Sequence, residues 1–283
     1  MRYTVLTYIF GNYEKVHEVR EKDPDADYVL VTDDPQLKSD TWRIVCDQML
    51  DSMTPIEKCY QVRFQPFGYA DTDIVVRLDG SIGINQPLKP LIDEFESGSF
   101  DRCLMIHPTR NTFDKELECW VKQRKYPQEV ADRCLTMMQA WIYDLNYKGL
   151  FQGCFEIVRN TGKNRDINRL TYQLMKYTGG EDVIDRLDQH IFSFVVNTLH
   201  RDLKVLPVSE NLITMGSKWA QWYIHKSMRP ISNPGKIQPM MFNQPCECWG
   251  EQPAADAPGT TATEPKSDGK PETQKSRNSK KRK

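Results

Sequence analysis

The sequence predicts an α/β protein. Residues 1–248 form a single domain, a mixed and mostly parallel sheet flanked by helices, and a disordered, basic-ended tail follows over 249–283. Three observations predict this. Short runs rich in β-branched residues, too short for helices, recur from the N-terminus onward. Most of them stop at a polar turn containing Asp, Gly or Pro. Segments with helical spacing and helix-start signals separate them. With 283 residues, 39% of them hydrophobic, and six Trp, the chain can bury one large α/β core or two small ones.

The elements follow in order. Tyr3–Ile9 is a first strand, left through Phe10-Gly11-Asn12-Tyr13, and Asp27–Thr32 is a second, ending in Asp33-Asp34-Pro35. As the ends of a nucleotide-binding half-sheet, these strands would set Thr7, Tyr8 and Asp33 against a base or ribose; as ordinary strand ends, they are only turn caps. Trp42–Val45 is a short third strand. Thr54 then caps a helix with Pro55 at its first position. Lys58, Gln61 and Gln65 share one face of that helix, with Lys58 and Arg63 expected to reach solvent on neighbouring faces. A cation there is either part of a solvated face or placed to meet a diphosphate.

The run Ile74–Ile84 is the centre of the chain. Ile74, Val75 and Val76 make a buried parallel strand, and Asp79-Gly80-Ser81 breaks it. A carboxylate at the carboxyl end of a central strand sits where open α/β sheets hold their ligands. It suits Mg²⁺ or Mn²⁺, hard ions for which a diphosphate supplies the remaining oxygens. The competing reading is a plain Asp-Gly turn. Asp71-Thr72-Asp73 precedes the strand, at the other edge of the sheet, and reads as a turn and strand start.

Leu88–Phe95 reads as a helix and Cys103–Ile106 as a strand. His107-Pro108-Thr109-Arg110-Asn111 follows, placing His107 and Arg110 to bind hydroxyls or phosphate, unless His107 is a satisfied core histidine. Phe113–Lys125 and Gln128–Tyr143 form a helical pair, with Glu116 and Glu118 among its solvent-facing charges. Gly149 and Gly153 bracket Gln152 and lead into the strand Cys154–Val158; such glycines suit close approach of a sugar to the backbone, or a bulge. Asn164–Tyr177 is a helix ended by Gly179-Gly180. Arg186–His190 opens an apolar helix, Ile191–Leu199, in which Asp188 is either a functional carboxylate or a helix-start charge. Leu203–Pro207 is the last strand expected, and Trp219–Lys226, with Arg229-Pro230 after it, carries aromatics and cations.

Composition narrows the function. No apolar run approaches the roughly 20 residues needed to span a bilayer, and Met1-Arg2-Tyr3 leads straight into a strand, so the expected location is the cytosol. Of the eight Cys, only Cys246-Glu247-Cys248 is a cluster, a weak zinc signal without a second pair. The net charge of −1 hides an asymmetry: from Glu251 onward eight Lys or Arg face five Asp or Glu, a tail of +3, which leaves −4 for residues 1–250. A mildly acidic body argues against a nucleic-acid partner. The tail is too polar to bury a core; a solvated tail is the default reading, and its basic end, Ser279–Lys283, could also touch a partner or an anionic membrane face from inside the cell.

Taken as an ordered set, Tyr3–Tyr13, Val31-Thr32-Asp33, Arg77–Ser81, His107–Arg110, Gly149-Leu150-Phe151 and Asp188-Gln189 resemble a family of small GT-A-type glycosyltransferases. That family was long labelled a domain of unknown function and occurs in bacterial polysaccharide loci and plant cell-wall proteins. The likeness covers roughly residues 1 to 210. More distantly, the chain is similar to family-8 glycosyltransferases, in which an Asp-x-Asp holds Mn²⁺, an Asp-Gln-Asp lies beside the reacting sugar, and a late His adds a metal ligand. The resemblance implies a Rossmann-type, GT-A-like sheet and transfer of a sugar from a nucleotide diphosphate, such as a uridine diphosphate sugar, to a glycan or glycolipid acceptor. Asp79, Ser81 and His225 would hold Mn²⁺ or Mg²⁺. Thr7, Tyr8, Asp33, Lys58, Lys226 and Arg229 would meet the donor, His107, Arg110 and Gln152 the acceptor, and Asp188 and Gln189 the reacting centre. Two departures stand out: Ser81 replaces the second metal carboxylate and His190 the second Asp of the later motif. They favour an alternative, a catalytically silent relative that binds a glycan or partner. A nucleotidyltransferase is disfavoured, since no Gly-rich, cation-bearing loop follows the first strand.

Overall fold

The structure is a computed structural model that describes residues 1–107, 112–122, 127–141, 144–145, 149–179, 187–208 and 220–222. The chain divides into two units, Met1–Cys248 and Trp249–Lys283. The predicted tail, the Cys246–Cys248 cluster, Arg110, His225, Lys226 and Arg229 lie outside the described residues.

In chain order the elements are β1 (Tyr3–Ile9), β2 (Ala26–Thr32), β3 (Arg43–Val45), α1 (Pro55–Phe64), β4 (Ile74–Leu78), β5 (Ile82–Ile84), α2 (Lys89–Ser97), β6 (Arg102–Ile106), α3 (Phe113–Lys122), α4 (Gln128–Ala140), β7 (Phe151–Arg159), α5 (Gly162–Gly179), α6 (Asp188–Phe194), β8 (Val205–Val208) and β9 (Ala220–Trp222). Seven strands form one sheet in the order β3-β2-β1-β4-β7-β6-β8. β1 pairs in parallel with β2 and β4, β2 with β3, and β6 with β8, while β7 runs antiparallel to both its neighbours. The protein is therefore α/β, with a mixed, mostly parallel sheet. No helix among the described residues is long and apolar enough to cross a membrane.

Both faces of the sheet are buried, which is why its strands read as continuous apolar runs rather than alternating ones. Tyr3, Val5, Ile74, Val76 and Leu78 point to one core, which includes Leu91, Ile92 and Phe95 of α2. On the other face, Leu6, Tyr8, Val75 and Val158 pack with Val62 of α1. A further core joins Tyr60 and Phe64 of α1 to Phe113, Ile167, Ile191 and Phe194 of the later helices.

Several expectations are corrected. The break at Asp79-Gly80-Ser81 is followed by a second strand, β5, which leaves the main sheet and pairs antiparallel with β9. β8 is thus not the last strand. Lys58 and Arg63, expected to reach solvent, are buried, and so is Glu116, expected among exposed charges. The apolar helix after Asp188 is α-helical only to Phe194 and continues as a π-helical turn, Val195–Leu199.

Candidate functional site

The carboxyl ends of β1, β2 and β4 open to the same side of the sheet, since the three strands are parallel neighbours. Asp79 is the first residue past β4. Its backbone N–H donates to the Cys154 carbonyl of β7 at 3.0 Å, and its carbonyl accepts from Ile82 N–H at 2.9 Å, which closes the turn into β5. Gly80 has to be a glycine: a Cβ there would stand 2.5 Å from the Tyr8 carbonyl and 2.9 Å from Ile9 Cγ1. The turn is pressed onto the end of β1, which fixes where the carboxylate emerges.

That carboxylate is half-buried, its side chain 34% exposed. The Tyr8 hydroxyl donates to Asp79 Oδ1 at 3.0 Å, and Arg77 Nη1 lies 3.5 Å from the same oxygen. Burial, then the Asp79 charge, raises the Tyr8 pKa well above the ordinary phenol value, so Tyr8 stays a donor. Arg77 is buried in the middle of an apolar strand. Its Nη2 donates to the Gly153 carbonyl at 2.8 Å, and its Nε lies 3.4 Å from Glu156, the residue directly opposite it on β7. Glu156 also pairs with Arg102 of β6, whose other donors reach Asn164 and Asn168 at 2.7–2.9 Å. Buried charges cost several kcal/mol each unless paired and hydrogen-bonded, and here a row of partners crosses four strands.

The second carboxylate arrives from the helical side. The pairing of β6 with β7 shifts register between Leu104 and Met105, leaving a bulge that contains Gly153. On this bulge Arg63 Nη1 meets Asp188 Oδ2 in a buried ion pair. A Cβ on Gly153 would stand 2.7 Å from Arg63 Cζ and 2.9 Å from Asp188 Oδ2. The sequence allowed either a bulge or close approach of a sugar at these glycines; the bulge is present, and what approaches Gly153 is a guanidinium and a carboxylate. Burial lowers the Arg63 pKa, but Asp188, Tyr8 and Asp79 outweigh it and raise the value.

The other expected residues fall in several places. Asp33 lies at the end of β2, accepting from Gly11 N–H at 2.9 Å and from Lys58 at 3.1 Å. Thr7 is buried and donates its hydroxyl to the Leu78 carbonyl at 3.2 Å, joining β1 to β4. Gln152 lines a void of about 10 Å³ with Arg63, Arg77 and Glu156, room for about one water. His107 is buried, its Nε2 4.0 Å from Glu116 on α3. Gln189 Oε1 is buried and has no hydrogen-bond partner among the described residues. Ser81 is buried beside Gly80.

No group of three His, Cys, Asp or Glu among the described residues could hold a metal ion. Asp79, a half-buried carboxylate with hard oxygens, fits as a single ligand to an ion that brings other oxygens with it. A larger cavity, about 500 Å³ and lined by Phe151, Val196, Asn197, His200 and Val205, lies beside β8 and contains neither Asp79 nor Asp188. The chain matches no model of a known protein family, and no curated protein matches it.

Sequence reasoning missed Arg63, Arg77 and Glu156 as parts of this site. Arg77 and Glu156 left a signal: single opposite charges inside the apolar runs Ile-Val-Val-Arg-Leu and Cys-Phe-Glu-Ile-Val, which point to a buried cross-strand pair. Arg63 left none, because its partner lies 125 residues away.

Proposed function

We propose that the protein is a glycosyltransferase of GT-A type that moves a sugar from a nucleotide diphosphate, a uridine diphosphate sugar in the leading case, to a glycan or glycolipid. The observation that carries the reading is that Asp79, through Arg77, and Asp188, through its pair with Arg63, are both tied to Gly153 of β7 at the carboxyl end of β4, where open α/β sheets hold their ligands.

In this reading the nucleotide lies across the ends of β1, β2 and β4, with Asp33 and Lys58 on its base and ribose side. Mn²⁺ or Mg²⁺, held by Asp79 and the diphosphate, would neutralise charge building on the leaving group. Tyr8 and Arg77 occupy Asp79 Oδ1, so in this reading Oδ2 is the oxygen offered to the ion. Asp188 faces the sugar, and the unpartnered Gln189 oxygen is an acceptor for a sugar hydroxyl. The described cations of the crevice are already paired, so the diphosphate's further positive partners are sought in Lys226, Arg229 and the ion.

Calorimetric titration of uridine diphosphate with Mn²⁺ tests the proposal. Binding to the wild type, and loss of at least tenfold in affinity in Asp79→Ala with the melting temperature retained, is the expected result, about 1.4 kcal/mol or more. Absence of binding to the wild type contradicts it. The burial of Ser81 favours a second reading, a catalytically silent relative, because a buried hydroxyl is a poor replacement for a metal carboxylate. Nucleotide binding without release of uridine diphosphate from any sugar donor would select it.

A further inference from the structure

We infer that Arg63 is a positioning residue that acts on the chemistry only through Asp188, fixing that carboxylate over the Gly153 bulge. The inference rests on the function proposed above and adds a residue to it. Asp188 is in the first turn of a seven-residue helix whose N-cap, Leu187, contributes no side-chain hydrogen bond. What holds the carboxylate is Arg63, from the last turn of α1, with its guanidinium 5.6 Å from the Phe64 ring centroid and its Nη1 on Asp188. The missing side chain of Gly153 is what lets the pair sit against β7. Three elements distant in sequence thus converge on one carboxylate oxygen, and each would move it if altered.

A double-mutant cycle tests this. Wild type, Arg63→Gln, Asp188→Asn and the double variant are compared for release of uridine diphosphate from UDP-glucose, UDP-galactose and UDP-N-acetylglucosamine with Mn²⁺, and for calorimetric binding of uridine diphosphate. Misplacing a reacting group by about an ångström costs on the order of a hundredfold in rate, and that loss in kcat is expected for Arg63→Gln, with nucleotide affinity within about threefold of wild type. Once Asp188 is already Asn, removing Arg63 should cost no further rate. Arg63→Lys, which keeps the charge but not the fork, should recover part of the loss. Should the single variant fail to fold because Asp188 is left buried and unpaired, the comparison of Asp188→Asn with the double variant, which has no such orphan, decides the matter. Equal rates in those two support the inference. A further fall in the double variant, or loss of nucleotide binding in Arg63→Gln, overturns it and assigns Arg63 to the ligand directly. A wild type that binds no nucleotide, or binds it and releases nothing, fails differently: it removes the proposed function, and the role of Arg63 with it.

Discussion

Asp79 and Asp188 depend on two glycines for their positions. Gly80 admits the end of β1, and Gly153 admits the Arg63–Asp188 pair, so neither position tolerates a methyl group without movement. At Gly153 the displaced atoms belong to a buried ion pair, and moving them separates two charges with no water to replace the contact. Gly153→Ala should therefore destabilise the protein by on the order of 2–4 kcal/mol, read as a fall in the urea midpoint at unchanged slope. An effect under about 0.5 kcal/mol would mean that the guanidinium moves freely. Asp79 was legible in the sequence because the change from β-branched residues to Asp-Gly marks a strand end. The environment of Asp188 was not, since its partners, Arg63 and Gly153, are fixed by tertiary packing that no local pattern encodes.

Among the elements, α1 carries both cations that reach the crevice from the helical side, Lys58 and Arg63, so its start fixes their register. The Thr54 side chain accepts from Glu57 N–H, and the Glu57 carboxylate accepts from Thr54 N–H at 2.8 Å, a reciprocal capping box with Pro55 at the first helical position. Those hydrogen bonds from Thr54 lower the Glu57 pKa. Thr54→Ala should cost about 1 kcal/mol in thermal or chemical unfolding; no loss would show that tertiary packing alone fixes the helix start. The start of this helix was readable because capping is local chemistry; the burial of Lys58 and Arg63 was not, because it depends on tertiary packing. β5 and β9 were not: each is three residues long, and their pairing depends on chain segments more than a hundred residues apart. The same holds for the reversed direction of β7, since the apolar run Cys154–Val158 reads alike whichever way it points.

For the whole molecule, the mostly parallel sheet was legible from strands buried on both faces and separated by helical segments. That architecture selects the end of the sheet at which a ligand binds but not which ligand, because one fold hosts many chemistries. The proposed function takes its ligand from the resemblance to glycosyltransferases and its place from the Asp79–Arg77–Glu156 row and the Arg63–Asp188 pair. The most direct test is a crystal structure of the protein grown with uridine diphosphate and Mn²⁺. The account predicts the nucleotide across the carboxyl ends of β1, β2 and β4, with the ion on Asp79 and the terminal phosphate on the Asp188 side. A nucleotide bound elsewhere, such as in the cavity beside β8, or an ion that ignores Asp79, would contradict it.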